Sequence, residues 1–390
     1  MVHPVFANLP TTVFEEMSGL ARDLGAINLG QGFPDDPGPL AIRQKAADEV
    51  LNGYNQYPPM AGLPQLREAV AGHYRRSQGL DLDWKTEVTI TSGATEALAA
   101  SFLALVRPGD EVVVFQPVYD AYLPLIRRAG GVPKLVRLEP PHWRFDRAML
   151  EAAFTEKTRF VVLNNPINPA GVVLPREDLE LLAEFVIAHD AVAICDEVWE
   201  QVVFDGARHI PLMSLPNMAE RTVKIGSAGK MFGLTGWKVG FLCAAPDLTH
   251  ALARAHQFLT FTTPPNLQAA VAFGLDDPGD WFTAMPAGLQ RSRDRLAAGL
   301  TAEGFKVLPS QGTYFLNVDL AASGVSEPDR AFALRAVKEA GVAAIPVSAL
   351  YEQDPVTRIL RLCFSKGDST LDSGVERLAR ARELSRKATG

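Results

Sequence analysis

The stretch Ala191-Val192-Ala193-Ile194-Cys195-Asp196-Glu197-Val198-Trp199 is an apolar run that ends in two carboxylates. An apolar run rich in β-branched residues predicts a strand buried on both faces, as in parallel sheets covered by helices. Open α/β sheets bind ligands at the carboxyl ends of their strands. We therefore expect an α/β fold with Asp196 at a ligand site. The alternative is a strand-end aspartate that caps the next turn.

Strands of similar character are predicted on both sides of this run. Together with the run itself at 191–195, the predicted strands are residues 111–115, 160–163, 223–225 and 239–243. Strands and helices alternate over roughly residues 87–244, which predicts a mostly parallel sheet between helices. We expect an irregular arm up to about Pro39. A smaller α+β part is predicted from strands near residues 313–318, 343–346 and 359–364 and a terminal helix from about 371 to 386.

The segment Lys224-Ile225-Gly226-Ser227-Ala228-Gly229-Lys230 places a lysine in a turn of small residues after a short apolar strand. Small residues let the backbone approach a phosphate closely, and a buried lysine loses proton affinity and becomes nucleophilic. The pattern is typical of a lysine that bonds to a carbonyl cofactor. A surface lysine in a glycine loop would share the same Ser-x-x-Lys spacing.

Two further turns carry polar groups at strand ends. The turn Asn164-Asn165-Pro166-Ile167-Asn168-Pro169-Ala170-Gly171 can fix an asparagine amide as a donor to a phenolate-type oxygen. The strand at residues 88–91 passes through Ser92-Gly93 into an apolar helix, whose free N–H groups favour an anion. Thr95 and Glu96 could also cap that helix.

In these motifs and their order, the chain resembles the fold-type I, pyridoxal-phosphate-dependent class I/II aminotransferases. Within them it is most similar to the branch of kynurenine aminotransferase, glutamine transaminase K and methionine aminotransferase. The resemblance covers nearly the whole chain and includes the motifs at residues 27–35, 54–57, 117–120, 312–315 and 360–364. It implies a large domain with a mostly parallel seven-stranded sheet (41–275), a small C-terminal α+β domain (276–390), and an arm (1–40) packed with the small domain.

The resemblance also implies a site for pyridoxal 5'-phosphate. Lys230 would bond covalently to the cofactor aldehyde and serve as the base, and Asp196 would pair with the ring nitrogen. The other implied cofactor contacts are Ser92, Gly93, Ala94, Thr95, Tyr119, Asn168, Trp199, Ser227, Lys238 and, acting in the opposite subunit, Tyr57. The implied substrate contacts are Gly32, Asn168 and Arg361, whose guanidinium matches an α-carboxylate bidentately.

Trp199 departs from the family pattern, because most relatives carry tyrosine three residues after the ring-nitrogen aspartate. An indole N–H can donate a hydrogen bond but can neither accept one nor ionise. Lys238, where many class I enzymes have arginine, matches the kynurenine aminotransferase branch.

The resemblance implies a ping-pong aminotransferase that moves the amino group of a methionine, aromatic, glutamine or kynurenine type of L-amino acid to a 2-oxo acid. The alternatives are a cysteine-conjugate β-lyase, an N-succinyldiaminopimelate aminotransferase and the aminotransferase-like sensor domain of transcription regulators. Aromatic residues that could line the substrate pocket are Phe14, Tyr57, Phe258 and Phe261. Core packing is the preferred interpretation for Phe258 and Phe261.

Composition agrees with an enzyme of this kind. The length of 390 residues favours two domains, and a net charge of -7 gives no electrostatic case for binding nucleic acid. Cys195, Cys243 and Cys363 are scattered in apolar strands, so we expect reduced core residues in a cytoplasmic protein and no zinc site. No run approaches the roughly 18 apolar residues of a membrane span. The family resemblance implies a homodimer.

Overall fold

Helices and strands alternate along most of the chain in the computed structural model, which describes residues 2–7 and 9–389. The helices are α1 (Pro4–Ala7), α2 (Val13–Asp23), α3 (Leu40–Asn52), α4 (Pro64–Gln78), α5 (Trp84–Glu87), α6 (Gly93–Leu105), α7 (Tyr122–Arg128), α8 (Arg147–Ala153), α9 (Arg176–Ala188), α10 (Ala228–Met231), α11 (Pro246–Leu259), α12 (Pro265–Asp276), α13 (Trp281–Ala302), α14 (Asp329–Arg335) and α15 (Asp368–Thr389). The strands are β1 (Ile27–Asn28), β2 (Val88–Thr91), β3 (Glu111–Gln116), β4 (Val132–Arg137), β5 (Thr158–Asn164), β6 (Val192–Asp196), β7 (Thr222–Ser227), β8 (Gly240–Cys243), β9 (Lys306–Val307), β10 (Phe315–Asp319), β11 (Val342–Ala343), β12 (Ile345–Pro346) and β13 (Ile359–Cys363).

The central sheet has seven strands in the order β2-β8-β7-β6-β5-β3-β4, and only β8 runs antiparallel to its neighbours. Alternate residues of β5 pack into different apolar clusters on the two faces. Phe160 and Val162 belong to one cluster, whereas Val161 and Leu163 belong to another. A strand with two buried faces needs apolar side chains at every position. The predicted α/β fold with a mostly parallel seven-stranded sheet is therefore confirmed.

Three neighbouring strands of this sheet end at the same edge. Asn164 at the end of β5 pairs in register with Asp196 at the end of β6, and β7 beside it runs on to Ser227. Because the three strands are parallel, their carboxyl ends and the loops that follow them meet in one place.

A second, antiparallel sheet of four strands in the order β12-β13-β10-β9 lies in the C-terminal part. Arg361 is on its central strand β13, in register with Asn317 of β10 and Ile345 of β12. The N-terminal strand β1 forms a separate parallel pair with β11.

The expectation of an irregular N-terminal arm is wrong for residues 13–23. The hydroxyl of Thr12 accepts a hydrogen bond of 3.2 Å from the Glu15 backbone, which caps helix α2. Met17 and Ala21 on one face of this helix are buried. The cap and the apolar spacing were both present in the sequence, and they specify an amphipathic helix.

The three cysteines are buried and unpaired, as predicted for core residues. Within residues 2–7 and 9–389, no helix has the length and apolar character needed to pass through a lipid bilayer.

A buried ionic cluster lies next to the carboxyl end of β6. The Lys224 amine of β7 donates to Glu197 and, at 2.6 Å, to Glu200, and these three side chains are at most 1% exposed. Tyr74 donates to Glu200 at 2.8 Å, and His209 lies 3.1 Å from Glu197. Burial alone would raise the pKa of Glu197, but Lys224 and His209 outweigh it and lower this pKa to about 2.

We expect Lys224→Met to lower the free energy of unfolding by about 3–5 kcal/mol, because it leaves two buried carboxylates without their cation. Chemical denaturation measures this change. Lys134→Met is the matched control, since Lys134 pairs with Glu111 at 3.4 Å near the surface and such pairs contribute about 0–1 kcal/mol. Equal losses in the two variants would contradict a structural role for the buried cluster.

Candidate active site

A cavity of about 330 Å³ lies where the carboxyl ends of β5, β6 and β7 face the arm and the C-terminal sheet. The predicted site residues that line it are Gly32, Gly93, Ala94, Thr95, Tyr119, Asn168, Asp196, Trp199, Ser227, Lys230, Lys238 and Arg361. The structure thus brings together residues that are far apart in sequence.

Lys230 lies in the short helix α10, directly after β7. Its amine donates a hydrogen bond of 3.0 Å to the Tyr314 hydroxyl and lies 4.7 Å from the centre of the Trp199 ring. Burial lowers the pKa of this amine to about 8. An amine with this pKa has a reactive neutral fraction near neutral pH, which suits a nucleophile or a base.

In the cofactor-free protein we expect Lys230 to react with an acylating reagent with an apparent pKa of about 8. Burial disfavours the ammonium form, so deprotonation of the amine is complete well above this pH. The reactive neutral form is lost as the pH falls through this value. Competitive acylation followed by peptide mass spectrometry gives the titration curve, with the unfolded protein as the control. A folded-state value near the ordinary lysine pKa of about 10.4 would contradict the buried environment.

Asp196 ends β6 and is 5% exposed. One carboxylate oxygen accepts a hydrogen bond of 2.6 Å from Tyr122, whereas the other, Oδ1, is buried and has no partner among the described residues. Burial raises the pKa of this carboxyl, and the Tyr122 hydrogen bond and nearby Lys230 oppose that change. A buried acceptor without a donor is costly. The unpaired Oδ1 of Asp196, in a residue that lines the cavity, suits a cofactor whose protonated ring nitrogen would donate to it.

One end of the cavity can hold a phosphate. Helix α6 begins here at Gly93, and the first N–H groups of a helix have no partners within it. Gly93 has φ +75°, and a β-carbon on it would lie 3.2 Å from the Lys238 amine. The Lys238 ammonium and the Ser227 hydroxyl therefore lie beside free backbone donors, and charge-assisted hydrogen bonds of this type are strong.

Arg361 also lines the cavity and is 1% exposed. Its guanidinium donates to the Asn168 side-chain oxygen at 2.9 Å and to the Gly30 carbonyl at 2.7 Å, and it stacks 3.9 Å from the centre of the Phe315 ring. Its Nε has no partner among the described residues. Burial lowers the pKa of Arg361 to about 10, which leaves it charged near neutral pH. Asn168 keeps its amide N–H groups for another acceptor.

Two predicted cofactor contacts, Ser92 and Tyr57, lie outside the cavity lining. The Ser92 hydroxyl is 3.5 Å from that of Thr263, and its backbone N–H donates to Glu96. Tyr57 is 79% exposed and packs on Phe261, with ring centres 5.5 Å apart.

The preferred core interpretation of Phe258 and Phe261 is wrong. Phe258 is 84% exposed and Phe261 is 40% exposed, and neither lines the cavity. Phe14 does line it. Phe258 is at the end of helix α11, and Phe261 lies just beyond it, where the Tyr57 ring covers part of its surface.

Sequence reasoning missed several residues at the site. Further lining residues are Gln31, Leu98, Asp120, Asn164, Val198, Thr235 and Phe315. Tyr314 contacts Lys230 directly, and the sequence marks it only as part of the motif Gly312-Thr313-Tyr314-Phe315. No periodicity singles out a tyrosine before a buried strand, so only the folded contact identifies it.

The geometry agrees with three comparisons to known proteins. The model of the family "Aminotransferase class I and II" matches residues 25–378. A probable N-succinyldiaminopimelate aminotransferase of Mycobacterium tuberculosis is 44% identical over 380 residues, covering 95% of this chain and 96% of the relative. The methionine aminotransferase of Escherichia coli is 40% identical, with coverage of 95% and 96%.

Solved structures give the same result. The structure of N-succinyldiaminopimelate aminotransferase from Mycobacterium tuberculosis superimposes with a TM-score of 0.95 at 44% identity, covering 98% of this chain and all of the other. The Escherichia coli structure described as having a methionine aminotransferase function gives a TM-score of 0.94 at 39% identity, with coverage of 97% and 99%.

Proposed function

The chain belongs to the class I and II aminotransferases, and we propose that its preferred amino donors are L-amino acids with uncharged apolar, aromatic or amide side chains. As in the rest of the family, the cofactor is pyridoxal phosphate and the second substrate is a 2-oxo acid.

Each cation that lines the cavity has a role in this proposal. Lys230 would hold the cofactor covalently, Lys238 would bind its phosphate and Arg361 would bind the substrate α-carboxylate. Asp120 adds a negative charge to the same wall. No cation lining the described cavity is left to pair with a carboxylate on the substrate side chain, and an unpaired buried charge is costly. This charge balance is the observation that carries the proposal.

The substrate side chain would contact apolar and aromatic surface. The ring centres of Phe14 and Phe315 lie 5.0 and 3.9 Å from the guanidinium carbon of Arg361, and Gln31 adds an amide. A pocket of this type discriminates one methylene by only about 1–3 kcal/mol, so we expect a broad set of donors.

The residues divide the chemistry between them. Bound pyridoxal phosphate supplies a protonated heterocycle that withdraws electrons from the bonds at the substrate α-carbon. Asp196 would keep that heterocycle protonated, and Tyr119 would cover its face. Arg361 orients the α-carbon by its carboxylate, and the neutral Lys230 amine takes up the α-proton. The two substrates use the same cavity in turn, which gives ping-pong kinetics.

N-succinyldiaminopimelate aminotransferase is a second candidate, favoured by the 44% identical Mycobacterium tuberculosis relative. Its substrate, N-succinyldiaminopimelate, carries carboxylates besides the α-carboxylate. The cavity lining described above offers no cation to pair with them. A cysteine-conjugate β-lyase would use the same residues and differs only in expelling a group from the β-carbon.

A panel of donors tests these functions, with cofactor amination followed by absorbance. We expect methionine, phenylalanine, kynurenine or glutamine to have a higher kcat/KM than aspartate or the N-succinylated substrate. A preference for a donor with an anionic side chain would refute the proposed class. Pyruvate released from a cysteine conjugate without any added oxo acid would identify lyase activity.

We also propose that two chains form a homodimer in which Tyr57 completes the opposite site. The exposed aromatic residues Tyr57, Phe258 and Phe261 support a covered surface, since large apolar patches on proteins usually bind a partner. Their exposure in one chain accords with a role for Tyr57 at the phosphate of the other.

Mixing two inactive variants tests this arrangement. Lys230→Ala lacks the amine, and Tyr57→Ala lacks the aromatic group, so each homodimer should be impaired. If Tyr57 acts across the interface, a mixed dimer contains one site with both native residues, and mixing after dissociation should restore activity. Gel filtration gives the oligomeric state. Unchanged activity after subunit exchange would show that Tyr57 does not act in the opposite subunit.

We propose the domain division 1–40, 41–275 and 276–390, with the arm on the small domain. The strands of the seven-stranded sheet all lie between residues 88 and 243, and those of the four-stranded sheet between 306 and 363. The pairing of β1 with β11 supports the position of the arm. Limited proteolysis near residue 276 should release two compact fragments.

A further inference from the structure

Tyr314 links the Lys230 amine to the arm. It precedes strand β10 and is 2% exposed. Its hydroxyl oxygen accepts the hydrogen bond of 3.0 Å from Lys230, and its own proton is donated to the carbonyl of Gly32. Since the one hydroxyl proton is used in the bond to Gly32, the oxygen meets the lysine only as an acceptor.

Trp199 makes this acceptor necessary. The Lys230 amine lies 4.7 Å from the centre of the Trp199 ring and 5.3 Å from that of Tyr314, and the two rings meet edge to face with centres 4.4 Å apart. An indole cannot accept a conventional hydrogen bond from an amine. Of the two aromatic side chains around Lys230, therefore, only Tyr314 can fix the direction of its N–H groups.

We propose, on the basis of the aminotransferase function above, that Tyr314 is a positioning residue that holds the free Lys230 amine in place for proton transfer at the substrate α-carbon. The amine takes the α-proton, and the electron pair of the broken C–H bond stays with the substrate. The resulting ammonium donates to the Tyr314 oxygen, while Tyr314 keeps its own proton throughout. A hydrogen bond to the charged form stabilises it, and a held amine avoids the loss of alignment that slows proton transfer.

The same contact connects the amine to the arm segment at Gly32, which would contact the substrate. A β-carbon on Gly32 would lie 2.7 Å from the Phe315 ring, so the segment packs closely against the residue that follows Tyr314. Arg361 holds the neighbouring carbonyl of Gly30. The amine and the guanidinium are thus both positioned against one short segment of the arm.

The charged and titratable groups that face Lys230 from the surrounding elements are Asp196, Cys363, Lys238 and Arg361. Burial lowers the pKa of Lys230 most; Cys363 and Asp196 raise it, and Lys238 and Arg361 lower it further. Tyr314→Phe leaves each of these groups in place and removes only a hydroxyl. A change in the lysine pKa then reports the lost acceptor.

Tyr314→Phe tests the proposal, with Tyr351→Phe as the matched control. Tyr351 is also buried and donates to a backbone carbonyl, that of Leu138, but it lies outside the cavity. In cofactor-free Tyr314→Phe we expect the apparent pKa for Lys230 acylation to fall by about one unit, the scale of a hydrogen bond to a charged group. The control should keep the wild-type value.

Kinetics on the holoenzyme provide the second readout. We expect kcat of Tyr314→Phe to fall about 10- to 100-fold with little change in KM. The kinetic isotope effect with α-deuterated donor should rise, because proton transfer becomes more strongly rate-limiting. A substitution that only disturbed packing would affect stability and KM without raising the isotope effect.

A Tyr314→Phe enzyme with wild-type lysine pKa, kcat and isotope effect would overturn the proposal. If the variant does not fold, difluorotyrosine at position 314 keeps shape and hydroxyl but weakens the oxygen as an acceptor, and it should lower the same pKa and kcat by a smaller amount. Unchanged values would again overturn it. The acylation titration needs no substrate, so failure of the proposed donor class and failure of the Tyr314 assignment are distinguishable.

Discussion

Lys230→Ala is expected to abolish measurable transamination while the variant still binds pyridoxal phosphate. Lys230 would hold the cofactor covalently and move the α-proton, and positioned proton transfer alone contributes about 100- to 10,000-fold to a rate. The loss should therefore appear in kcat and should not be recovered by raising the substrate concentration. Single-turnover measurements of cofactor amination give the rate of the affected step.

Lys45→Ala is a suitable control for this variant. Lys45 lies on helix α3, where its amine pairs with Glu49 at 2.7 Å at the surface. It should show wild-type turnover. Borohydride should fix the cofactor to residue 230 of the wild-type enzyme and not to the alanine variant. Near-normal transamination by Lys230→Ala would refute the assignment of the base and the covalent anchor together.

The second large effect is expected for Arg361→Lys. Lysine keeps the charge but loses the planar fork that pairs with a carboxylate through two parallel hydrogen bonds. Removing one partner of a buried, hydrogen-bonded charge pair costs about 2–5 kcal/mol. We expect kcat/KM for the amino donor to fall by about 30-fold or more, which corresponds to the lower end of that range.

The control substitution is Arg358→Lys, at a residue just before strand β13, which carries Arg361. Arg358 pairs with Asp319 at 3.1 Å near the surface, so Arg358→Lys should leave kcat/KM within about twofold of wild type. Cofactor binding should be preserved in both variants, because Lys230, Lys238 and Asp196, which would hold the cofactor, are unchanged. An Arg361→Lys enzyme with unchanged KM for several donors would contradict the role of Arg361 in binding the carboxylate.

The sequence predicts the central sheet well because its signals are local. Strands β5 and β6 have apolar centres, residues 160–163 and 192–195, which is the pattern of a doubly buried strand, and β5, β6 and β7 each end in a polar residue. The parallel arrangement then places Asn168, Asp196 and Lys230 at one edge without further information. Strand β4 is different, because it lies at the sheet edge and its mixed, partly exposed side chains carry no clear pattern.

The contacts around the site could not be predicted in the same way. Arg361 hydrogen-bonds to Asn168, which is 193 residues away in the sequence. Tyr314 hydrogen-bonds to Gly32, which is 282 residues away. Such pairs depend on how the arm and the two sheets pack, and no periodicity in either segment specifies a partner. The exposure of Phe258 has a similar cause, since an aromatic side chain on an amphipathic helix gives the same sequence signal whether it faces a core or a second subunit.

The buried cluster around Lys224 has one more consequence. The ligand atoms of Glu197, Glu200 and His209 lie within 4.8 Å of one another, a set that a transition metal ion could bind. The Lys224 ammonium already neutralises the carboxylates of Glu197 and Glu200, so no metal ion is needed there. Chelators should therefore leave the stability of the wild-type protein unchanged, whereas added zinc should stabilise Lys224→Ala by filling the place of the amine.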